Sequence, residues 1–235
     1  MATESISSYL SIIEKNNGPV IFRGHSDIDW KLVPTIARLN PKKSPIKLSN
    51  GWQGLEEVLL NDFKKHASLY LSREPKSKLE WMIQAQHHGL PTRLLDWTTN
   101  PLKALFFAVE NTAHHDIDGK VFVFFPRMWS ENPEGLDIEK SNCVDVFYPI
   151  NINNRVRAQE GCFVLFPQKN NFECHEPLNE GFSQSCAVSI SSIIIEKKYK
   201  KQLIKQLDQL GVNDMTMFPD LDGVSKSIRR KFQKD

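Results

Sequence analysis

The sequence predicts an α+β fold, with a helix-rich first half packed on a mainly antiparallel sheet. Three observations predict it. Apolar residues recur at helical spacing through most of the first half, the strand candidates of the second half follow one another without intervening helices, and Pro, Gly or Asn bounds each of those strands.

Taken in order, Ile6, Leu10 and Ile13 mark a first helix, and the Gly18-Pro19 turn leads into Val20, Ile21 and Phe22, a short strand that ends in Arg23-Gly24-His25. PKKSPIK reads as a solvated loop, and Leu55, Val58, Leu59, Phe63 and Ala67 form the apolar stripe of a second helix. Ser77 with Glu80 makes a capping box for a third helix, which buries Leu79, Met82 and Ile83 and stops at Gly89 before Pro91. Between that stop and the next helix start, Gly89 to Thr99 reads as a polar loop. Asn100 followed by Pro101 caps and starts a helix that buries Leu102, Leu105, Phe106 and Val109, with Ala104 and Ala108 small enough for another backbone to come close.

Strand candidates follow at Val121 to Phe125, Val144 to Tyr148, Cys162 to Phe166 and Ala187 to Ile195. Tyr199, Leu203, Leu207 and Leu210 mark a last helix closed by Gly211, and FPDLDG, whose aspartates read as caps and turns, precedes a basic tail with Arg229, Arg230 and Lys231.

The chain has 235 residues, 40% hydrophobic and 25% charged, which suits one domain with a sizeable core. Its 30 Lys and Arg against 28 Asp and Glu leave a net charge of +2, so no broad basic field exists to hold nucleic acid or an anionic membrane. Apolar runs such as VFVFFP fall far short of the roughly 20 residues that span a bilayer. With a polar Met1 to Ser8, the expectation is a soluble, cytoplasmic protein without a membrane partner; the sequence leaves the oligomeric state open. Cys143, Cys162, Cys174 and Cys186 are too irregularly spaced for a zinc knuckle and read as buried free thiols. The adjacent pairs His87-His88 and His114-His115 would point apart, so no metal site is expected.

Function is expected in Gln86 to Ala108, QHHGLPTRLLDWTTNPLKALFFA, where His87, Arg93, Asp96, Thr98 and Thr99 crowd one connection. Each also has a structural reading. His87 lies four residues after Ile83 and could be a core histidine, Arg23 could pair with Asp27, Asp29 or Asp96, and Arg93 with Asp96 could brace the loop. Trp30 and Trp97 could be stacking platforms or core.

Phe22-Arg23-Gly24, the central stretch just quoted, RVRAQEGCFVLF and FPDLDG together resemble the FRG domain family, over about residues 18–223 of a single FRG-type domain spanning 1–235. That resemblance by itself implies no reaction. A second resemblance does. An Arg at the end of a first strand, a Thr-rich strand running into an Ala-x-x-Phe-Ala helix and a Gln-Glu at the start of a later strand are similar to mono-ADP-ribosyltransferases of the Arg, Ser-Thr-Ser, Glu type.

That second resemblance implies an ADP-ribosyltransferase-like fold and NAD as co-substrate. Arg23 with Gly24 would meet the nicotinamide-side ribose or phosphates, Thr98 and Thr99 would occupy the Ser-Thr-Ser position, and His87 and Arg93 would complete the cofactor side. Glu160 or Gln159 would stand where the family places its catalytic carboxylate, and Asp96 would act if Gln159 faces inward, because strand alternation turns the two side chains apart. The implied role is a bacterial effector, toxin or anti-phage component acting on a protein or nucleic-acid acceptor. The alternative of a different class is a non-catalytic module that holds a nucleotide or a nucleic-acid end in the same cleft, with Arg23 and Arg93 on phosphate.

Overall fold

The computed structural model describes residues 3–15, 18–71, 73–127, 129–140, 143–150, 153–180 and 187–232. In chain order the elements are α1 (Ile6–Ile13), β1 (Ile21–His25), α2 (Gly51–Ala67), α3 (Lys78–His87), β2 (Leu94–Thr98), α4 (Pro101–Val109), β3 (Gly119–Pro126), β4 (Trp129–Ser130) and β5 (Asp145–Phe147). Then come α5 (Asn154–Ala158), β6 (Gly161–Leu165), β7 (Ala187–Ile195), α6 (Lys197–Gln209), α7 (Asp214–Met217) and α8 (Leu221–Phe232). The strands form a seven-stranded sheet in the order β4-β5-β6-β2-β1-β3-β7. Every pairing is antiparallel except that of β4 with β5.

Alternation along the strands builds a core on each face. Phe22, Val121, Val123 and Ile193 pack against Leu105, Phe106 and Val109 of α4 and Leu203 and Leu207 of α6. Ile21, Leu95, Phe122, Phe124 and Val164 gather on the opposite face. Leu94, Phe163 and Leu165 meet Leu60 of α2 and Leu79 and Met82 of α3 in a third cluster. With both faces covered, the strands carry near-continuous apolar runs, the pattern of VFVFFP in β3.

α4 crosses β1 at backbone distance. A Cβ on Gly24 would lie 1.9 Å from the carbonyl oxygen of Ala104, so glycine on the strand and alanines at 104 and 108 on the helix make this crossing possible. Asn100 caps α4 as expected, its side-chain oxygen accepting from the N–H groups of Leu102 and Lys103.

Several expectations need correction. The stretch read as a loop from Gly89 to Thr99 holds a central strand, β2, flanked by β1 and β6; its apolar Leu94, Leu95 and Trp97 are buried. On α2 the expected Leu55 is buried and Leu59 and Phe63 pack partly against the core, but Trp52, Leu60 and Glu56, which pairs with Arg93, are buried as well. Ser77 caps α3 by accepting from the N–H of Glu80, but the Glu80 carboxylate bonds the N–H of Lys76 and pairs with Arg73, so the box is not reciprocal. Among the described residues α1 to α4 and two strands precede β3, so the first half is helix-rich as expected; the second half adds α5, α7 and α8 to the expected α6, and the basic tail is the helix α8. Of the cysteines, Cys162 is a buried free thiol, Cys174 is free and exposed, and Cys143 is disulfide-bonded; Cys186 lies outside the described residues.

Candidate functional site

β1 pairs with β2 at one position, Phe22 opposite Thr98, and beyond it the two strands part. A cleft of about 380 Å³ opens at the parting. β1 lines it with Arg23 and Gly24, β2 with Asp96 and Thr98, the end of α3 with Gln86 and His87, and the α5 turn with Arg155 and Gln159.

Arg23 bridges the gap. Its Nη1 donates to the main-chain oxygen of Asp96 and stands 4.0 Å from the Asp96 carboxylate. Its Nε lies 3.0 Å from Nε2 of His25, whose Nδ1 is 3.2 Å from the carbonyl oxygen of Trp30. A guanidinium can only donate and a carbonyl can only accept, so His25 is the neutral imidazole with its proton on Nδ1. Burial, then Arg23, push the pKa of His25 down to about 3, which agrees with the neutral form. Burial also lowers the pKa of Arg23 itself, with Asp96 opposing and Arg38 adding to the shift.

Asp96 supplies a carboxylate on the cleft, 59% exposed. His87, half-buried at the end of α3, has its pKa lowered by burial, then by His88 and Arg155, against the opposing pull of Asp220 and Asp96. Thr98 lines the cleft, but its hydroxyl is committed: it donates to the carbonyl oxygen of Gln159 at 2.7 Å and accepts from the N–H of Asn100 at 3.0 Å. Gly24 contributes backbone, and its lack of a side chain serves the α4 crossing.

The Gln159-Glu160 pair is not on a strand. Gln159 caps the end of α5, and Glu160 takes a left-handed conformation, φ 48°, in the turn before β6. The alternation argument therefore does not apply. Gln159 reaches the cleft, its amide nitrogen donating to the carbonyl oxygen of Met217 at 3.2 Å. The Glu160 carboxylate lies outside the cleft lining, 2.8 Å from Nζ of Lys103 and accepting from the Asn100 amide at 3.2 Å; the Lys103 hydrogen bond holds its pKa below the ordinary value, with burial opposing.

Arg93 is also elsewhere. Its Nε is 3.1 Å from both Glu56 oxygens, Nη1 donates to the carbonyl of Phe166 and Nη2 to that of Ile138, all buried, so it ties α2 and β2 to the segments that carry those carbonyls and meets no ligand. Thr99 is directed at the carbonyl of Glu160, at 3.5 Å, and does not line the cleft. Trp97 is 3% exposed within the core, and Trp30 makes edge contacts with His25 and His114.

Sequence reasoning missed Arg155 and Gln86. Arg155 approaches within 4.7 Å of the Phe218 ring centre, and Gln86 accepts from the Thr92 hydroxyl while its buried Nε2 has no partner among the described residues. The signal for Arg155 was Asn153, whose side chain accepts from the N–H of Val156 and starts a short helix ahead of the Gln159-Glu160 turn. No group of three or more His, Cys, Asp or Glu positioned to hold a metal occurs among the described residues, and no helix among them is long and apolar enough to cross a membrane.

The chain is an α+β protein whose sheet parts at its centre, with arginines, a carboxylate and amides lining the parting. The chain contains an FRG domain: that family's sequence profile matches residues 18–117, the segment that holds β1, β2, α4 and the Arg23–Asp96 contact. No match was found among curated proteins or among solved structures.

Proposed function

We propose that the cleft binds a nucleotide and that the chain is an NAD-consuming mono-ADP-ribosyltransferase in which Asp96, rather than Glu160, provides the catalytic carboxylate. The observation that carries this reading is the presence of Arg23, Arg155 and Asp96 on one cleft. Guanidinium forks suit a pyrophosphate because each makes parallel charge-assisted hydrogen bonds. The volume falls within the range of small-molecule sites, about 300–1,000 Å³.

NAD, when bound, supplies an N-glycosidic bond whose cleavage places positive charge on the sugar. A carboxylate facing that charge lowers the barrier, and Asp96 is the residue available for it. Arg23, oriented by neutral His25, would hold phosphate or ribose; the Gln159 amide would orient a hydroxyl. Such an activity would suit an effector, a bacterial toxin or an anti-phage component, with a protein or nucleic acid as acceptor. The second reading, a non-catalytic nucleotide-binding module, is favoured by one observation: Glu160 is neutralised by Lys103 outside the cleft while a neutral amide, Gln159, stands within it.

The test is release of nicotinamide from NAD by the purified chain, with binding measured in parallel by calorimetry. Arg23→Ala should weaken binding about ten- to hundredfold, the worth of a charged hydrogen bond. Asp96→Asn should leave binding nearly intact and slow release by about 10²–10³, because only the transition state carries the cationic sugar. Binding without release moves the conclusion to the second reading, and absence of binding by NAD and by other nucleotides removes both.

A further inference from the structure

A second cavity, of about 610 Å³, lies away from the cleft, between α4, α6 and α8. Its floor is apolar: Ile204 of α6 and Val212, backed by the fully buried Phe106 of α4. Its rim is cationic. Lys201, Ile204, Lys205 and Asp208 recur at the spacing that brings side chains to one face of α6, and Lys231 comes from α8. Arg230 forms part of the wall with its guanidinium already committed to Asp214, at 2.6 Å, and to the carbonyl of Glu110, which makes that wall rigid. His115 closes one side, its Nε2 3.0 Å from the carbonyl of Val109. Burial lowers its pKa, the Val109 hydrogen bond opposes this, and the charges of Lys200, Arg230 and Lys201 add to the lowering.

A charged helix face needs neither a concavity nor an apolar floor to remain solvated. Both are present, and together they match an amphipathic ligand. We propose that this cavity is a binding site for a small anionic amphiphile, an aromatic body that rests on Ile204 and Val212 and carries an anionic group that meets Lys201 and Lys231. The site is separate from the nucleotide cleft, although α4 lies between them: Phe106 faces this cavity and Phe107 the other.

The experiment titrates the full chain with 1-anilinonaphthalene-8-sulfonate, an aromatic anion, and follows its fluorescence. Saturable binding at one site is expected. Lys201→Glu combined with Lys231→Glu should weaken it about tenfold or more, and Ser227→Trp, which fills the cavity from the α8 side, should do the same. The uncharged analogue N-phenyl-1-naphthylamine should bind about tenfold more weakly than the sulfonate, while Asp96→Asn should leave the dye's affinity unchanged. Circular dichroism melts check each variant; should Ser227→Trp disturb folding, the exposed lysine pair decides. Absence of saturable binding would overturn the proposal. So would binding indifferent to the charge reversals, which would place the dye elsewhere, for example on the exposed stripe of Leu221, Ile228 and Phe232 on α8.

Discussion

The two sides of β1 are built differently. Toward β3 it pairs at five positions, from Ile21 opposite Phe124 to His25 opposite Lys120; toward β2 it pairs at one. On the first side the hydrogen-bond ladder is continuous and the sheet is closed. On the second, the Arg23 guanidinium donates to the Asp96 carbonyl, a charged side chain taking a role that a strand N–H fills elsewhere. A sheet can thus make a cleft by withholding pairing and satisfying the exposed backbone from a side chain. The comparison extends to the two arginines: Arg93 is buried with backbone and carboxylate partners around it, whereas Arg23 is fixed on its inner side and borders the open cleft.

That contrast can be broken most forcefully at Arg93. Arg93→Ala would leave the buried Glu56 carboxylate with Lys78 alone, at 3.9 Å, and would remove the donors that meet the Phe166 and Ile138 carbonyls, and should cost about 3–5 kcal/mol in chemical denaturation. Arg23→Ala should cost no more than about 1–2 kcal/mol while weakening nucleotide binding about ten- to hundredfold. The reverse order would show that Arg23 is the structural residue of the two. Gly24→Ala comes next. Its Cβ would enter the Ala104 carbonyl, so overpacking of about 1–3 kcal/mol is expected, together with weaker nucleotide binding as α4 lifts from β1.

Acid should act through histidines held neutral. Burial depresses His25 to about 3 and His175 to about 4 from 6.5, so the stability they contribute is complete above pH 6.5 and is lost as pH falls toward those values. Each contributes at most about 1.4 kcal/mol per pH unit in that window. Urea midpoints at pH 7, 6 and 5 should fall steadily, and His25→Asn should flatten the curve. The smallest effect is expected at Glu160. Its carboxylate is 49% exposed, so Glu160→Gln should change stability by less than about 1 kcal/mol and leave nicotinamide release intact. Loss of release in that variant would return the carboxylate role to Glu160.

Local chemistry made much of this legible in the sequence. The Asn100-Pro101 start of α4, the Gly89 and Gly211 stops, and the apolar runs of β3, β6 and β7 all follow from capping and alternation, and Leu105, Phe106, Val109, Val121 and Val123 share one core. What escaped were consequences of long-range pairing. LLDWT looks polar through Asp96 and its Thr98 end, yet it is a central strand because β6 pairs with it from Leu94 to Thr98 while β1 lets go after Thr98. The placement of Arg93 depended on Glu56, 37 positions earlier, a separation at which no spacing rule applies. Glu160 escaped because a left-handed backbone at a glutamate is uncommon, and that one turn moves its carboxylate onto Lys103.

The matched family segment ends at residue 117, two positions before β3 begins, and this bears on where a self-sufficient folding unit can be cut. A fragment of residues 18–117 would keep β1 and β2 but discard β3, β6 and β7, leaving the two strands joined by the Phe22–Thr98 pair alone. It would also lose Lys200, whose buried ammonium holds the carbonyls of Ser26 and His114, both inside the matched segment, from α6 outside it. Expressed alone, such a fragment should be proteolysed rapidly and give no cooperative melt, because the residues that define the family are held in place by residues beyond its boundary.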